Sequence, residues 1–501
     1  MADPTPTTAD TALLEGEKQK LHKSLSRLDM IGFTVCAFVG LDTLGLVAGA
    51  GAQGFTWLVV LAVLFVLPYA LVMSEVGSAF TEEGGPYEWV KMAFGRGHAA
   101  IAALMYWVTN PFWVGGSLAF IATEAWDANI FGIPSGSVGD YVFKLLFIWF
   151  SIGVAIASLQ KGKWIPNVGA LLRVVVLGGF TITLVVYAIK NGVHGFPVGD
   201  LSPTMAVFLG LVPVLLFNYV GFELQNGAAE EMQDPQKDVP LAVLRSGALG
   251  VGLYAIPVFG IMLVLPPEAI TGVSGFMDAV ATTFTVYGGA ADVLLGIVTL
   301  CFVGTLLTSG AVWMIGSDRI QAVAAADGAF FPFFAKFHDT LGTPVRVNVL
   351  SGVVSSLFMI AALAIFQDSS AFEVVLTIAI STTLISYLWI FTAVLRLRTV
   401  RPETPRPYRV PGGPWGIRVA VGLITFWVAL GSWVAVFPGT LEKVVGLDYD
   451  FEDAWGVSFA KFELLTWGTL ACVVLLALVG YLAGRRVRTG TAPVPLAAEA
   501  G

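Results

Sequence analysis

The stretch FNYVGFELQNGAAEEMQDPQKDVP, residues 217–240, combines features that a membrane-spanning helix normally excludes. It lies between two long apolar runs, so Glu223 falls inside a predicted membrane span together with Asn218 and Gly221. An acidic side chain at the centre of a helix in lipid costs about 2.5–3.5 kcal/mol. Such residues are tolerated where the backbone is interrupted and lines a polar cavity, which is how transporter binding sites are built.

A second interrupted span occurs near the start of the chain. In LDMIGFTVCAFVGLDTLGLVAGAGAQG, residues 28–54, the apolar run is broken by Gly40, Asp42, Thr43 and Gly45. The alternative interpretation is a Gly-rich packing face with an acid paired to a neighbouring helix. Small-residue packing explains the glycines but not both acids. Two interrupted, acid-bearing spans in corresponding places therefore favour a transport site.

The composition is typical of polytopic membrane proteins. Of the 501 residues, 56% are hydrophobic and 12% are charged, whereas soluble domains carry about 25% charged residues. A β-barrel would need alternating strands of about ten residues, and the apolar runs here are continuous and about twice as long. The three cysteines all fall inside apolar runs, which predicts small core residues and no disulfide framework. We therefore predict an all-α integral membrane protein.

Twelve apolar runs are long enough to cross about 30 Å of hydrocarbon. They are predicted at 29–51, 55–79, 98–126, 138–159, 166–190, 204–231, 241–265, 290–317, 346–366, 371–397, 416–437 and 463–484. With the N-terminus inside, the outward segments hold only four of the 27 Lys and Arg residues, namely Lys144, Lys190, Lys443 and Lys461. The positive-inside rule then predicts that both termini are cytoplasmic. The N-terminal segment is polar and lacks an apolar core, so we expect a tail and not a cleaved signal peptide.

The sequence contains no catalytic constellation. All four histidines lie in or beside loops without metal-ligand spacing, and we find neither a phosphate-binding loop nor a Ser/His/Asp arrangement. We therefore predict that the chain is not an enzyme and that it uses no metal and no cofactor. A channel would need a continuous polar pore, which the sparse acids within the spans do not provide.

Three segments resemble motifs of the amino acid–polyamine–organocation (APC) permeases. The sixth-span stretch at 217–240 is similar to that family's aromatic-x-x-x-G-F-E, E-E and D/N-P-x-K-x-x-P signature. SEVGSAFTEEGGPYEWVKMAFG, residues 74–95, is similar to E-L-x-x-x-x-P-x-x-G-G-x-Y-x-[YW]-V. SDRIQAVAAADGAFFPFFAKFHDTLGTPV, residues 317–345, resembles the inward segment after the family's eighth span. The resemblance covers about residues 28–484.

The resemblance implies twelve transmembrane helices in the leucine-transporter-like (APC) fold. In that fold an inverted repeat of five plus five helices surrounds a substrate held by the unwound first and sixth helices. The division expected for this chain is a disordered cytoplasmic tail at 1–27, repeats at 28–190 and 204–398, a Pro/Arg-rich cytoplasmic linker at 399–415, two additional helices at 416–484, and a cytoplasmic tail at 485–501.

The resemblance also implies part of a substrate site in the first span. The family's G-S-G-I-F motif, whose free backbone amides bind a substrate carboxylate, falls on residues 40–44. This match makes Gly40, Leu41, Asp42 and Thr43 candidate substrate-binding residues. The second glycine of the motif is Asp42 here, a departure from the pattern.

In the sixth span, Phe217 matches the aromatic residue that gates bound substrate, and Asn218 and Gly221 lie beside it. Glu223 falls on the family's acid and is the candidate for proton coupling, because its apolar surroundings favour the neutral form. Trp313 in the eighth span matches an aromatic that lines the site in some members.

Arg173 in the fifth span falls where several sodium-independent members place a basic residue, so it is the candidate substitute for a sodium ion. The alternatives are simple packing roles for Phe217 and Trp313, and an Arg173 that snorkels to the membrane interface.

The expected function is alternating-access secondary transport of a small amino acid or polyamine, coupled to protons or operating by exchange, and independent of sodium. If Asp42 pairs with a substrate ammonium group, polyamines or cationic amino acids are favoured. If Asp42 is protonated or turned away, an ordinary amino acid binds the remaining amides. A non-transporting sensor of the same fold is the alternative function. The expected partners are the substrate, protons and the lipid bilayer of the cell membrane, without nucleic acid, and the oligomeric state is left open.

Overall fold

The computed structural model describes Gly16 and residues 25–157, 164–193, 195–266, 275–365 and 370–489. Across these ranges the regular structure is helical, and the one strand-like pairing is an isolated bridge between Leu25 and Met232. The predicted all-α class is confirmed. Most of the predicted tail at 1–27, and residues 490–501 of the predicted C-terminal tail, lie outside the described residues.

The helices are numbered here in chain order. The first half contains α1 (Arg27–Phe38), α2 (Leu44–Gly49), α3 (Gly51–Leu61), α4 (Leu67–Ala79), α5 (Pro86–Phe94), α6 (Arg96–Trp113), α7 (Ala119–Asn129), α8 (Val138–Ala157) and α9 (Trp164–Asn191). The second half contains α10 (Met205–Asn218), a 3-10 helix (Leu224–Glu231), α11 (Pro235–Val264), α12 (Gly275–Phe284), α13 (Ala291–Ala326), α14 (Val345–Ile365), α15 (Ser370–Val400), α16 (Gly413–Val436), α17 (Thr440–Val444), α18 (Phe451–Trp455), α19 (Phe459–Ala483) and α20 (Arg485–Arg488). Single π-helical turns join α3 to α4 and α6 to α7.

Nine helical stretches among the described residues are long and apolar enough to cross a membrane. They are Gly51–Ala79, Val138–Ala157, Trp164–Asn191, Pro235–Val264, Gly275–Ala326, Val345–Ile365, Glu373–Val400, Gly413–Val436 and Phe459–Ala483. The helices α1, with 12 residues, and α10, with 14, are each too short to span a membrane alone. The stretch formed by α6 and α7 is also not one of the nine. The chain is therefore a multi-pass membrane protein, while twelve spans stay a prediction.

Two helices end where the sequence is interrupted. The helix α1 ends at Phe38 and helical structure resumes at Leu44, while α10 ends at Asn218 and the next helical turn begins at Leu224. In the second break Gly221 has a φ of +121°, which side chains with a Cβ rarely adopt. The backbone groups in both breaks need partners other than helical hydrogen bonds.

The packing of α1 encloses the first break. The helix α1 lies against α9, α11 and α13, and α13 also packs against α6. The residues before α1 are tied to the 3-10 helix, since the Leu25 N–H donates to the Glu231 carbonyl at 2.9 Å and the Gln233 N–H donates to the Leu25 carbonyl at 3.1 Å.

Large apolar side chains such as Leu146 and Ile182 are exposed on the perimeter, as expected where lipid surrounds the helices.

The segment between α15 and α16, residues 401–412, is irregular and is anchored to α4 through Glu75. The Glu75 carboxylate accepts hydrogen bonds from Arg398 Nε at 2.8 Å and Nη2 at 2.5 Å, and from the Val410 N–H at 2.8 Å. This segment is the central part of the predicted linker. Its contact with α4 holds it against the helices that surround the two breaks.

Candidate substrate site

Asp42 lies in the first break with its side chain buried. Its Oδ2 accepts a hydrogen bond at 2.7 Å from the indole Nε1 of Trp113 on α6. The indole N–H is a neutral donor, so it stabilises the position of the carboxylate without cancelling its charge. The neighbouring Leu41 is buried in the apolar core.

The backbone amide of Gly40, also in the first break, already has a partner. Its N–H donates to the hydroxyl of Tyr254 on α11 at 2.7 Å. The same hydroxyl donates to the carbonyl of Phe38, the last residue of α1, at 3.2 Å. Tyr254 therefore satisfies one donor and one acceptor that the end of the helix leaves free.

A side-chain hydrogen bond joins the two breaks. The Thr43 hydroxyl donates to Oδ1 of Asn218, while Nδ2 of Asn218 is buried and has no hydrogen-bond partner among the described residues. Gly221 in the second break lies against Trp313, whose ring carbon would be 3.0 Å from an added Cβ. A glycine is required at 221 both for its φ and for this close approach.

Three aromatic rings connect α6, α10 and α13 at the breaks. Trp113 makes edge contacts with Phe217 and Trp313, at ring-centroid distances of 5.8 and 6.3 Å. Trp313 Nε1 donates to the Ala37 carbonyl in the last turn of α1 at 2.9 Å. Phe217 and Trp313, which sequence reasoning places at the site, are thus brought together by Trp113, which it did not identify.

Glu223 is fully buried in a group of three tyrosines. Its Oε1 accepts hydrogen bonds from the hydroxyls of Tyr106 at 2.7 Å and Tyr387 at 2.6 Å, and its Oε2 accepts one from Tyr69. Tyr69 in turn accepts the Gly221 N–H at 3.1 Å. Four elements (α4, α6, α15 and the second break) therefore meet at one carboxylate held by neutral donors.

Arg173 is fully buried on α9 and binds the end of α1 and the face of α13. Its Nε donates to the Val39 carbonyl at 2.7 Å, and its Nη2 donates to the Thr305 carbonyl at 3.1 Å and to the Ser309 hydroxyl. Its Nη1 donates to the Thr308 hydroxyl at 3.2 Å. The guanidinium therefore binds carbonyl and hydroxyl oxygens, which are the kind of ligand that a small cation prefers.

Five further residues hold the polar groups of the candidate site, and the sequence did not identify them: Tyr69, Tyr106, Tyr254, Tyr387 and Trp113. Their common signal is a hydroxyl or indole donor within an apolar span, which normally finds a partner when buried. The partner itself is not visible in sequence, because each contact joins distant segments. Within the described part of the chain, no group of three or more His, Cys, Asp or Glu side chains is arranged to hold a metal ion.

Comparison with known proteins relates most of the chain to transporters. The family model for amino acid permeases matches residues 25–481. The chain is 29% identical over 442 residues to a probable agmatine/putrescine antiporter of Lactococcus lactis, covering 87% of this chain and 90% of that protein. It is 27% identical over 406 residues to an uncharacterized transporter of Legionella pneumophila, covering 78% and 84%. It is 21% identical over 386 residues to a glutamate/gamma-aminobutyrate antiporter of Lactococcus lactis, covering 72% and 73%.

The helical membrane fold and these relatives define a transporter. The chain belongs to the amino acid permease family, whose model covers nearly all of it, and the resemblance to the APC permeases is confirmed. Because the family and its relatives are permeases and antiporters, the prediction that the chain is not an enzyme is also confirmed.

Proposed function

We propose that the chain is an alternating-access secondary transporter of small amines, including diamines and polyamines. The observation that carries this proposal is Asp42, a buried carboxylate on interrupted backbone whose partner is the neutral indole of Trp113. An ammonium group of the substrate supplies a positive charge that the indole does not. Asp42 and the neighbouring aromatic rings then bind the substrate through charge and through contact with its methylene groups.

Two features of the first break favour an amine over an ordinary amino acid. The Gly40 amide, which the family resemblance assigns to a substrate carboxylate, is occupied by the Tyr254 hydroxyl. The negative charge of Asp42 also repels a second carboxylate nearby. The relative named as an agmatine/putrescine antiporter supports the same substrate class, and both named antiporters support exchange as the mode of transport.

We infer a membrane arrangement of twelve spans in two inverted repeats, 28–190 and 204–398, with both termini in the cytoplasm. The interruptions after Phe38 and after Asn218 lie at mid-membrane in this arrangement. The distribution of Lys and Arg supports the orientation, and the two breaks in corresponding helices support the repeat.

We further propose that Glu223 binds the coupling proton and that Arg173 replaces a sodium ion. The three tyrosine hydroxyls around Glu223 serve either protonation state, since a hydroxyl donates to a carboxylate and accepts from a carboxylic acid. Arg173 keeps its charge at all physiological pH values, so it acts as a fixed cation between α1 and α13.

The proposed function is tested with purified protein in liposomes loaded with putrescine. We expect exchange against radiolabelled agmatine, putrescine and spermidine at rates at least about tenfold above those for glutamate or gamma-aminobutyrate, because placing like charges together costs several kcal/mol. Preferential exchange of carboxylate-bearing substrates would overturn the amine assignment. Binding of an amine without any flux would contradict transport and favour a sensor of the same fold.

A further inference from the structure

An exposed group of arginines lies where α15 ends and α16 begins, outside the candidate substrate site. The chain between residues 396 and 418 contains six arginines and a single acidic residue, Glu403. Four of these arginines are exposed, and together they are called here the arginine surface: Arg396, Arg401, Arg409 and Arg418. This stretch of the chain therefore carries a strong positive charge.

The other two arginines hold the segment 401–412 in place. Arg398 binds the buried Glu75 carboxylate through two hydrogen bonds, and Arg406 Nε lies 3.6 Å from Oε1 of the same carboxylate. Arg406 also donates from Nη1 to the Thr404 carbonyl at 2.9 Å. Glu75 therefore fixes the segment to α4, and its negative charge is taken up by these two arginines.

The arginine surface itself has no such counter-charge. In the part of the chain that the structure describes, none of its four guanidinium groups forms an ion pair with a carboxylate. Two of them lie against aromatic rings instead, Arg396 at 5.0 Å from the ring centroid of Phe94 and Arg418 at 5.4 Å from that of Trp415. An aromatic face orients a guanidinium without neutralising it, so these charges stay available to an external anion.

The arginines of this segment are close enough to act on one another. Burial is the main cause that lowers the pKa of Arg406, Glu75 opposes this effect, and the positive charges of Arg398 and Arg409 lower the pKa again. Like charges held together on a fixed segment repel each other, and an anion bound beside Arg409 relieves this repulsion.

The arginine surface lies at the boundary of the membrane. The stretches Glu373–Val400 and Gly413–Val436 are both able to cross a bilayer, so the segment 401–412 between them lies at one membrane surface. Trp415 in the first turn of α16 is 72% exposed, and tryptophan is enriched at the level of the lipid headgroups. This placement holds whichever side of the membrane the segment faces.

We propose that the arginine surface binds the headgroup of an anionic phospholipid. A guanidinium pairs with a phosphate through two parallel hydrogen bonds, and clusters of four to eight basic residues beside a membrane helix are typical of sites for anionic lipids. The exposed ring of Trp415 then lies beside the glycerol region of the same lipid. The inference goes beyond transport and depends neither on the substrate nor on the orientation proposed above.

A lipid bound here is linked to the helices that hold Glu223. Glu75 ties the segment to α4, which carries Tyr69, and the segment directly follows α15, which carries Tyr387. Both tyrosines donate to the Glu223 carboxylate. Because the lipid binds the folded chain, we expect it to raise the temperature of unfolding.

Fluorescence anisotropy of tail-labelled phosphatidylglycerol, titrated with the purified full-length chain in a nonionic detergent, tests the binding. We expect unlabelled phosphatidylglycerol to displace the probe, and phosphatidylcholine with the same acyl chains to displace it at least several-fold less well. Raising sodium chloride from about 50 to about 500 mM should weaken binding several-fold, because salt screens exposed charges. Equal displacement by the two lipids, displacement by inorganic phosphate at the same concentration as phosphatidylglycerol, or binding that salt does not weaken would overturn the proposal.

Charge-removing variants locate the site. Arg401→Gln, Arg409→Gln and Arg418→Gln should each weaken binding by about fivefold, which is the effect of one cation near an anionic lipid surface. Arg245→Gln, which removes an exposed arginine on α11, is the matched control and should bind as the wild type does. Unchanged affinity in all three variants, or an equal loss in Arg245→Gln, would exclude the arginine surface as the site.

Thermal unfolding in detergent separates lipid binding from damage to the fold. Without lipid, the variant with all three substitutions should unfold at the wild-type temperature, because the three side chains are exposed. Phosphatidylglycerol should raise the unfolding temperature of the wild type and of Arg245→Gln, and should raise that of the triple variant much less. Equal stabilisation of all three proteins would contradict the proposal.

Discussion

Asp42 is the residue on which the proposed substrate class depends. Asp42→Asn keeps an oxygen for the 2.7 Å hydrogen bond from Trp113 but removes the charge. Removing one partner of a buried charge pair costs about 2 kcal/mol or more, so we expect putrescine affinity to fall by about 30-fold or more. The measurement is equilibrium binding to purified protein. Asp200→Asn, which changes an exposed acid, is the control, and an unchanged affinity in Asp42→Asn would return Asp42 to a structural role.

Glu223 carries the prediction for proton coupling. In Glu223→Gln the amide oxygen still accepts from Tyr106 and Tyr387, and the amide nitrogen faces the Tyr69 hydroxyl, so the geometry is largely retained while titration is lost. We expect the pH dependence of amine uptake to flatten in this variant.

Tyr106→Phe is the matched control for Glu223, because it removes one donor and leaves the acid in place. Uptake by this variant should keep a pH dependence, with or without a shifted midpoint. A wild-type pH profile in Glu223→Gln would mean that the coupling proton binds elsewhere.

At the scale of the helices, Arg173 joins α9 to α1 and α13. Arg173→Ala removes the guanidinium that donates to the buried Val39 carbonyl, which costs about 1–3 kcal/mol. It also removes one of the donors to the Thr305 carbonyl, which keeps the hydrogen bond from the Thr308 hydroxyl. We expect transport to fall at least about tenfold in this variant, with partial recovery in Arg173→Lys. Amine uptake by the wild type should be the same in buffers that contain sodium and in buffers that contain choline. Stimulation of uptake by sodium would disprove the proposal that Arg173 takes the place of a sodium ion.

A second prediction at this scale concerns α5, which is held at the end of α13 by Asp327. This carboxylate accepts from the Tyr87 hydroxyl at 2.6 Å and from Arg96 Nε at 3.0 Å, and it lies 3.3 Å from Lys91 Nζ. Burial by itself raises the pKa of Asp327. Lys91, Arg96 and the Tyr87 hydroxyl together lower this pKa by more than burial raises it, so the net pKa is below its usual value.

The lowered pKa sets the pH range over which Asp327 contributes to stability. Its contribution is fully present above the ordinary pKa of an aspartate and is lost as pH falls through the lowered value. Asp327→Asn should therefore reduce the free energy of unfolding by about 2–3 kcal/mol throughout pH 5–9. Thermal unfolding in detergent measures the loss. Asp234→Asn, which disrupts an exposed pair with Lys237, should change stability by less than about 1 kcal/mol; an equal loss in both variants would contradict the anchoring role.

At the scale of the whole molecule, the proposed topology places residues 401–412 and both termini on one side and residues 437–458 on the other. A cysteine introduced near position 450 should react with an impermeant reagent applied outside intact cells, and one near position 405 should not. Both positions are exposed, so the side of the membrane decides the outcome. Labelling of both positions from the same side would exclude the twelve-span arrangement.

The membrane class, the helical fold and the two interruptions follow from the sequence alone. Long apolar runs can be satisfied in lipid only by helices, and Gly40, Asp42, Asn218, Gly221 and Glu223 are residues that such helices do not accommodate in lipid. These are local properties of composition and spacing, which is why they can be predicted without a structure. The structure places helix ends at Phe38 and Asn218, within a few residues of these positions.

The partners of the polar groups were decided only by the tertiary structure. Tyr69, Tyr106 and Tyr387 lie 154, 117 and 164 residues from Glu223 along the chain, and nothing in their local sequence indicates that they share one carboxylate. The same holds for Trp113 beside Asp42. The physical reason is that a helix pattern specifies which residues are apolar, whereas the pairing of buried polar groups depends on how distant helices pack.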